Sequence, residues 1–252
     1  MLSTGLLSVT FRQLDPARII ALTAQADLNS IEWGGDIHVP PGDMAKAKHI
    51  RQMSLDAGLS ISAYGSYYRL GTGTQTELSA VLDTTEALGA PIVRVWAGER
   101  GSAEADSAYR QMVIEDAQYA TEQATRRNIV VSLEYHGNTL TDTLESTLSL
   151  LQAVDHPNLR TYWQPEHTPD LATKTHSLRT LLPWLTNVHV FHWEPHTHAR
   201  YPLVDGVDDW RAYIDILKTS DKPHVLSLEF VRDDDEATFL EDARTLQQWL
   251  AD

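Results

Sequence analysis

The sequence predicts a single (β/α)8 barrel, an α/β fold of eight parallel strands, spanning residues 1–252. Three observations predict it. Eight short apolar runs recur at intervals of about 31 residues, the size of one strand–helix unit. Amphipathic stretches separate them, with no composition break, Pro/Ser-rich linker or low-complexity tract along the chain. Third, the main alternative lacks its signature. A doubly wound open sheet needs a glycine-rich phosphate turn after its first strand. Phe11-Arg12-Gln13-Leu14-Asp15 is not one, and Gly71-Thr72-Gly73 lies elsewhere without a third glycine.

The elements follow in order. Residues 6–11 are read as the first strand and 30–33 as the second, which ends Ile31-Glu32-Trp33 with Asp36 and His38 just beyond. Residues 59–63 and 92–97 make the third and fourth. Runs such as Ile92-Val93 and Ile129-Val130-Val131 are almost wholly apolar, as expected of strands covered on both faces. The fifth, 129–134, ends Ser132-Leu133-Glu134 and leads into Tyr135-His136. In the helix after it, Leu140, Leu144, Leu148 and Leu151 repeat every three or four residues, with Thr139, Thr141 and Asp142 as capping candidates. The sixth, 160–164, ends Tyr162-Trp163-Gln164, followed by Pro165-Glu166-His167. The seventh, 188–191, runs on into His192-Trp193-Glu194, and the eighth, 225–230, carries Ser227-Leu228-Glu229. In the last helix Phe239, Leu240, Ala243, Leu246, Trp249 and Leu250 share a face, with acids at 233–235 placed to suit its dipole.

Composition narrows the function. Twenty Lys and Arg against 35 Asp and Glu leave a formal charge of −15, which opposes a nucleic-acid partner whose affinity would come from clustered cations. With no cysteine there is no disulfide, thiolate metal site or cysteine nucleophile, so any metal falls to carboxylates and the 11 histidines. No apolar stretch is long enough to span a membrane, and Met1–Gly5 lacks the basic and apolar regions of a signal peptide. A cytoplasmic protein with no nucleic-acid or membrane partner is expected.

Barrel enzymes place their catalytic groups at the C-terminal strand ends. Here those ends carry carboxylates, an amide and imidazoles. Period-two alternation puts Glu134 on the side of Ser132 and His136, and Glu229 on the side of Ser227. Oxygen donors with an imidazole suit one divalent cation, whether magnesium, manganese, cobalt or zinc. Such an ion polarises a carbonyl and its neighbouring hydroxyl while a carboxylate carries a proton.

Five segments carry a family resemblance: Ile31-Glu32-Trp33 with Asp36 and His38; Glu134-Tyr135-His136-Gly137-Asn138-Thr139; Val188-His189-Val190-Phe191-His192; Arg200-Tyr201-Pro202-Leu203 with Gly206 and Trp210; and Ser227-Leu228-Glu229. They resemble the xylose-isomerase-like TIM-barrel superfamily, which includes sugar and sugar-phosphate isomerases and epimerases, hydroxypyruvate isomerase, inosose dehydratase and endonuclease-IV-type enzymes. The resemblance implies a metal held by Glu134, a strand-six residue, His189 and Glu229. Where that family has Asp in an Asp-x-x-His pattern, this chain reads Gln164-Pro165-Glu166-His167. Gln164 is then the fourth ligand, a neutral amide that leaves the site one negative charge short, or else a substrate contact.

The function expected on these grounds is a metal-dependent isomerase or epimerase of a small ketose or related hydroxy-carbonyl compound. Glu134 and Glu229 act as the acid–base pair through a cis-enediolate, with His167 and Arg200 orienting substrate oxygens. His136, His38, Trp33 and Trp96 are further substrate-binding candidates, the tryptophans as an apolar rim. The first alternative is a lyase that dehydrates a keto-polyol at the same site. The second, motivated by Gln164, is a barrel that binds a sugar or metabolite without turnover. An endonuclease-type reading is opposed by the charge.

Plainer roles compete residue by residue. Either glutamate can pair with a barrel cation, Arg94 and Arg200 can anchor an anion or neutralise acids, and His189 can be a core histidine with His192 as its rival for ligation. His196 and His198 read as a solvated turn. Relatives also form dimers and tetramers, which makes a homo-oligomer the implied assembly.

Overall fold

The computed structural model describes residues 1–166, 170–194 and 196–251. Eight strands, β1 (Leu2–Leu7), β2 (Ser30–Gly34), β3 (Ser60–Arg69), β4 (Ile92–Trp96), β5 (Val130–Leu133), β6 (Leu159–Trp163), β7 (Leu185–Val190) and β8 (His224–Leu228), are hydrogen-bonded in chain order and close into a barrel. One helix follows each: α1 (Pro16–Gln25), α2 (Met44–Asp56), α3 (Gln75–Leu88), α4 (Ser107–Thr125), α5 (Leu144–Val154), α6 (Leu171–Leu181), α7 (Val207–Leu217) and α8 (Glu236–Ala251). The predicted (β/α)8 class is the observed one.

Two compact units make up the chain. The first comprises Met1–Glu32, Met53–Ser60 and Trp163–Asp252, the second Trp33–Gln52 and Ile61–Tyr162. In the first, β1 pairs with β8 from Leu2↔His224 to Leu6↔Leu228, and β7 with β8 from Asn187↔Val225 to Val190↔Leu228. In the second, β4 lies between β3 and β5, and β5 pairs with β6.

Two strands, β1 and β3, depart furthest from the boundaries read in the sequence. β1 begins at Leu2 and ends at Leu7, and residues 8–11 form a buried 3-10 turn. The small and polar Thr4-Gly5 hid its start. A Cβ on Gly5 would meet the hydroxyls of Ser30 and Ser227 at 2.8 Å, so close strand approach demands the glycine. β3 runs on to Arg69, six residues past the expected end.

The strands are also less uniformly apolar than they read. Buried Arg94, Ser132, Glu134, Asn187, His189, Ser227 and Glu229 alternate with buried Val93, Val95, Leu133, Val188, Val190, Leu226 and Leu228. Pairing brings Arg94 opposite Ser132, and His189 opposite Ser227, so the polar positions of neighbouring strands share a side.

Local chemistry sets the helix starts. Asp15 accepts the Arg18 N–H at 2.8 Å with Pro16 in the first turn, and Thr74 and Glu77 form a reciprocal capping box at α3. At α5 the cap is Thr143, which accepts the Ser146 N–H at 3.2 Å, and not Thr139, Thr141 or Asp142. Those three are engaged by other partners. Among the described residues no helix is long and apolar enough to cross a membrane.

Candidate metal centre and strand-end site

Glu134 lies one residue past β5. Its backbone N–H donates to the Val95 carbonyl at 3.0 Å, extending the strand ladder by one step. Its side chain meets the Arg94 guanidinium at 2.7 Å, with both groups almost wholly buried. Two neutralised charges in that setting cost less than one alone, so the ion-pair alternative weighed for Glu134 is realised. The Thr141 hydroxyl donates to the Glu134 carbonyl. Thr139 donates to the His136 carbonyl at 2.7 Å and lies 2.9 Å from the Thr141 hydroxyl. The threonines that read as helix caps thus pin the backbone beside Glu134, and Asp142 accepts the Ser102 N–H at 2.8 Å.

A second cluster forms at the ends of β6, β7 and β8. His189 is fully buried, and its Nδ1 lies 3.0 Å from the Gln164 amide oxygen and 3.3 Å from a Glu229 carboxylate oxygen. The Glu229 N–H donates to the Val190 carbonyl at 3.0 Å, the counterpart of the step at Glu134. The next residue, Phe230, has φ of 47°, a left-handed conformation uncommon for an aromatic, and its N–H donates to Thr10 Oγ1 at 3.0 Å. Such backbone concentrates at functional sites.

One ligand atom from each of Glu134, His189 and Glu229 lies within 4.8 Å of the others. Two carboxylates and an imidazole, with the Gln164 amide oxygen 3.0 Å from that imidazole, form a donor set that fits a hard or borderline divalent cation.

The remaining sequence-derived residues fall as follows. His167 lies outside the described residues. His136 is partly exposed; its ring centre is 4.6 Å from that of Trp96, and its Nδ1 is 2.8 Å from the Gly137 carbonyl. Trp33 is fully buried against His38, itself buried, so neither presents an open face. Arg200 pairs with Asp234, donates to the Val231 carbonyl at 3.4 Å and stands 5.0 Å from the Phe230 ring centre. It is therefore neutralised at the β8 end. His192, the rival ligand, has its ring centre 5.8 Å from that of Tyr201 with the planes tilted by 44°, and burial pushes its pKa down. His196 and His198 are exposed, as a solvated turn would have them.

Sequence reasoning missed Tyr67 and Arg69, because a Ser-Tyr-Tyr-Arg tail does not read as strand. Both sit at the end of β3. The Tyr67 and Trp96 rings stack at 6.2 Å, and the Arg69 guanidinium lies 4.3 Å over Trp96. The available signal was Gly65, a glycine within a strand pattern, which marks bulges.

Residues 20–251 match the family model described as xylose isomerase-like TIM barrel. A curated relative, 3-dehydroshikimate dehydratase of Bacillus anthracis, is 33% identical over 158 residues, 55% of this chain and 55% of that protein. The matched segment thus spans about half that relative's length. Among solved structures, a probable 3-DHS dehydratase of petrobactin synthesis from Bacillus anthracis superposes with TM-score 0.84 at 23% identity, covering 97% of this chain and 98% of that one. A xylose isomerase-like TIM-barrel protein from Mycobacterium smegmatis, in complex with magnesium, gives 0.73 at 17% identity over 99% and 96%.

Proposed function

From the premise that the chain belongs to the xylose isomerase-like TIM-barrel family, we propose that it is a divalent-metal-dependent enzyme that removes the proton next to the carbonyl of a small hydroxylated ketone and then eliminates water. The observation that carries this reading is the grouping of Glu134, His189 and Glu229 ligand atoms within 4.8 Å. Elimination is favoured over isomerisation by the 33% identity to a dehydratase.

A divalent ion held by Glu134, His189, Glu229 and the Gln164 oxygen would act as a Lewis acid toward a carbonyl oxygen. The chain supplies the rest. Glu229 accepts the proton: the carbon–hydrogen bond breaks and its electron pair moves toward the carbonyl. The β-hydroxyl then takes that proton back from Glu229 and leaves as water, the carbon–oxygen bond breaking as the electron pair returns to form a carbon–carbon double bond. His189, 3.3 Å from Glu229, orients that carboxylate. Arg94 holds Glu134 in place and offsets its charge. Burial of these groups excludes bulk water and strengthens each electrostatic contact.

The second reading keeps the first step and returns the proton to a neighbouring carbon, giving an isomerase or epimerase of a small ketose. It is supported by the two glutamates, one available to take the proton and one to return it.

Incubation of the manganese-loaded protein with 3-dehydroshikimate in deuterated water tests both. Accumulation of 3,4-dihydroxybenzoate, seen by its ultraviolet absorbance, is the expected result and should be lost in Glu229→Gln. Deuterium entering a ketose panel without loss of water selects the second reading. Absence of both reactions in the metal-loaded protein refutes the proposal.

A further inference from the structure

β3 carries two residues more than β4 between matched positions. Gly65 stands opposite Arg94, yet Arg69 stands opposite Trp96. The bulge is built in. The Ser66 hydroxyl donates to the Arg94 carbonyl at 2.6 Å and accepts the Tyr68 N–H at 3.4 Å. Tyr68 turns away to α4, where its hydroxyl donates to Asp116 at 2.9 Å. Asp116 also accepts the Gly71 N–H at 2.8 Å, closing the turn after the strand. A Cβ on Gly73 would lie 2.2 Å from the Tyr68 ring, so the turn packs flat against it.

The consequence is to aim Tyr67 and Arg69 outward. Tyr67 is 38% exposed and stacks on Trp96 with only 25° between ring planes. The Arg94 guanidinium, the partner of Glu134, lies 5.6 Å from the Tyr67 ring centre. Arg69 spreads over Trp96 and gives one hydrogen bond, from Nη1 to the Gly98 carbonyl at 3.0 Å. Among the described residues it meets no carboxylate, although the chain has 35 acids against 20 Lys and Arg. An arginine kept from acids in so acidic a protein, flattened on an indole and partly open to solvent, is a preorganised oxyanion fork. Bulges are known to re-aim side chains next to active sites.

We propose that Arg69, positioned on Trp96 by the β3 bulge, is a specificity subsite that takes a carboxylate carried by the substrate, with Tyr67 and Trp96 as the flat wall against which its carbon frame rests. The assignment rests on the elimination reading above and narrows its substrate class to hydroxylated keto acids. The planar fork of arginine matches a carboxylate in two parallel hydrogen bonds.

The test compares binding of 3,4-dihydroxybenzoate and catechol to the manganese-loaded protein by calorimetry. The two ligands share the vicinal oxygens and differ only in the carboxylate. The parent should prefer the acid by about 10- to 100-fold, the worth of a charged hydrogen-bond pair. Arg69→Gln and Arg69→Met should lose that preference while binding catechol as the parent does, which also shows that they fold. Arg69→Lys should keep part of it. Equal affinity of the parent for both ligands, or an undiminished acid preference in Arg69→Gln, overturns the subsite and leaves the elimination reading standing. Binding of neither ligand by the parent overturns both. An Arg69-dependent affinity for inorganic phosphate exceeding that for the acid overturns the carboxylate assignment.

Discussion

Arg94 and Glu134 form an ion pair at 2.7 Å in which neither side chain retains appreciable contact with solvent. The pair joins β4 to the segment just past β5, so it is at once a structural tie and part of the site. Removing only the cation takes its buried counter-charge from a buried carboxylate. Arg94→Met should therefore lower unfolding stability by about 3–5 kcal/mol, whereas Arg94→Met combined with Glu134→Gln should recover much of that loss. Urea denaturation of the two variants decides it, and equal losses in both would contradict the argument.

Metal should act as a stabilising ligand. Manganese at 100 times its dissociation constant should raise unfolding free energy by about 2.7 kcal/mol, with a matching rise in Tm that a chelator reverses. The same titration on Glu229→Gln should show a much smaller shift. An unchanged Tm across magnesium, manganese, cobalt and zinc would speak against the centre formed by Glu134, His189 and Glu229.

Gln164 contributes an uncharged oxygen 3.0 Å from His189. Gln164→Asp adds a negative charge beside Glu229. Divalent affinity should tighten on the order of tenfold, because ligand charge tunes such sites. The metal-free protein should lose stability through like-charge repulsion. Calorimetric titration with manganese and a melt in chelator measure the two effects, and a weaker metal affinity would remove Gln164 from the ligand set.

Asp242 on α8 accepts the Leu203 N–H at 2.8 Å. Burial pushes its carboxyl up to about 6 from the ordinary 3.8, more than the Leu203 N–H and Arg232 pull it down. The folded chain thus binds this proton more tightly than the unfolded chain. The stability so gained is full below about 3.8 and disappears as pH rises through about 6. Asp242→Asn removes that dependence, so its stability relative to the parent should climb by about 1–2 kcal/mol between about pH 4 and pH 7. Paired thermal melts across that range check it, and a flat difference would place the Asp242 carboxyl at its ordinary value.

The β3 bulge depends on Gly73 lying flat against Tyr68. Gly73→Ala should cost about 1–3 kcal/mol through overpacking. It should also disturb the near-ultraviolet circular dichroism of the neighbouring Tyr67 and Trp96. A variant as stable as the parent would show that the turn has room to move.

Periodicity was enough to read eight strands, eight helices and barrel class, because an apolar run every thirty-odd residues has few ways to bury itself. Alternation along single strands also predicts that Glu134 shares a side with Ser132, and Glu229 with Ser227. These are local properties that one strand or helix expresses alone. Strand pairing and packing decided the rest. Which basic group would neutralise Glu134 depended on β4 lying beside β5, a neighbour relation no single run encodes. Thr139 and Thr141 satisfy every local rule for a helix cap, yet carbonyls brought to them by the turn after β5 claim their hydroxyls. Trp33 reads as a rim residue by its place at a strand end, but tertiary packing closes both faces. The outward turn of Arg69 arises from two extra residues in β3 relative to β4. A register difference exists only between strands, so only the folded chain could display it.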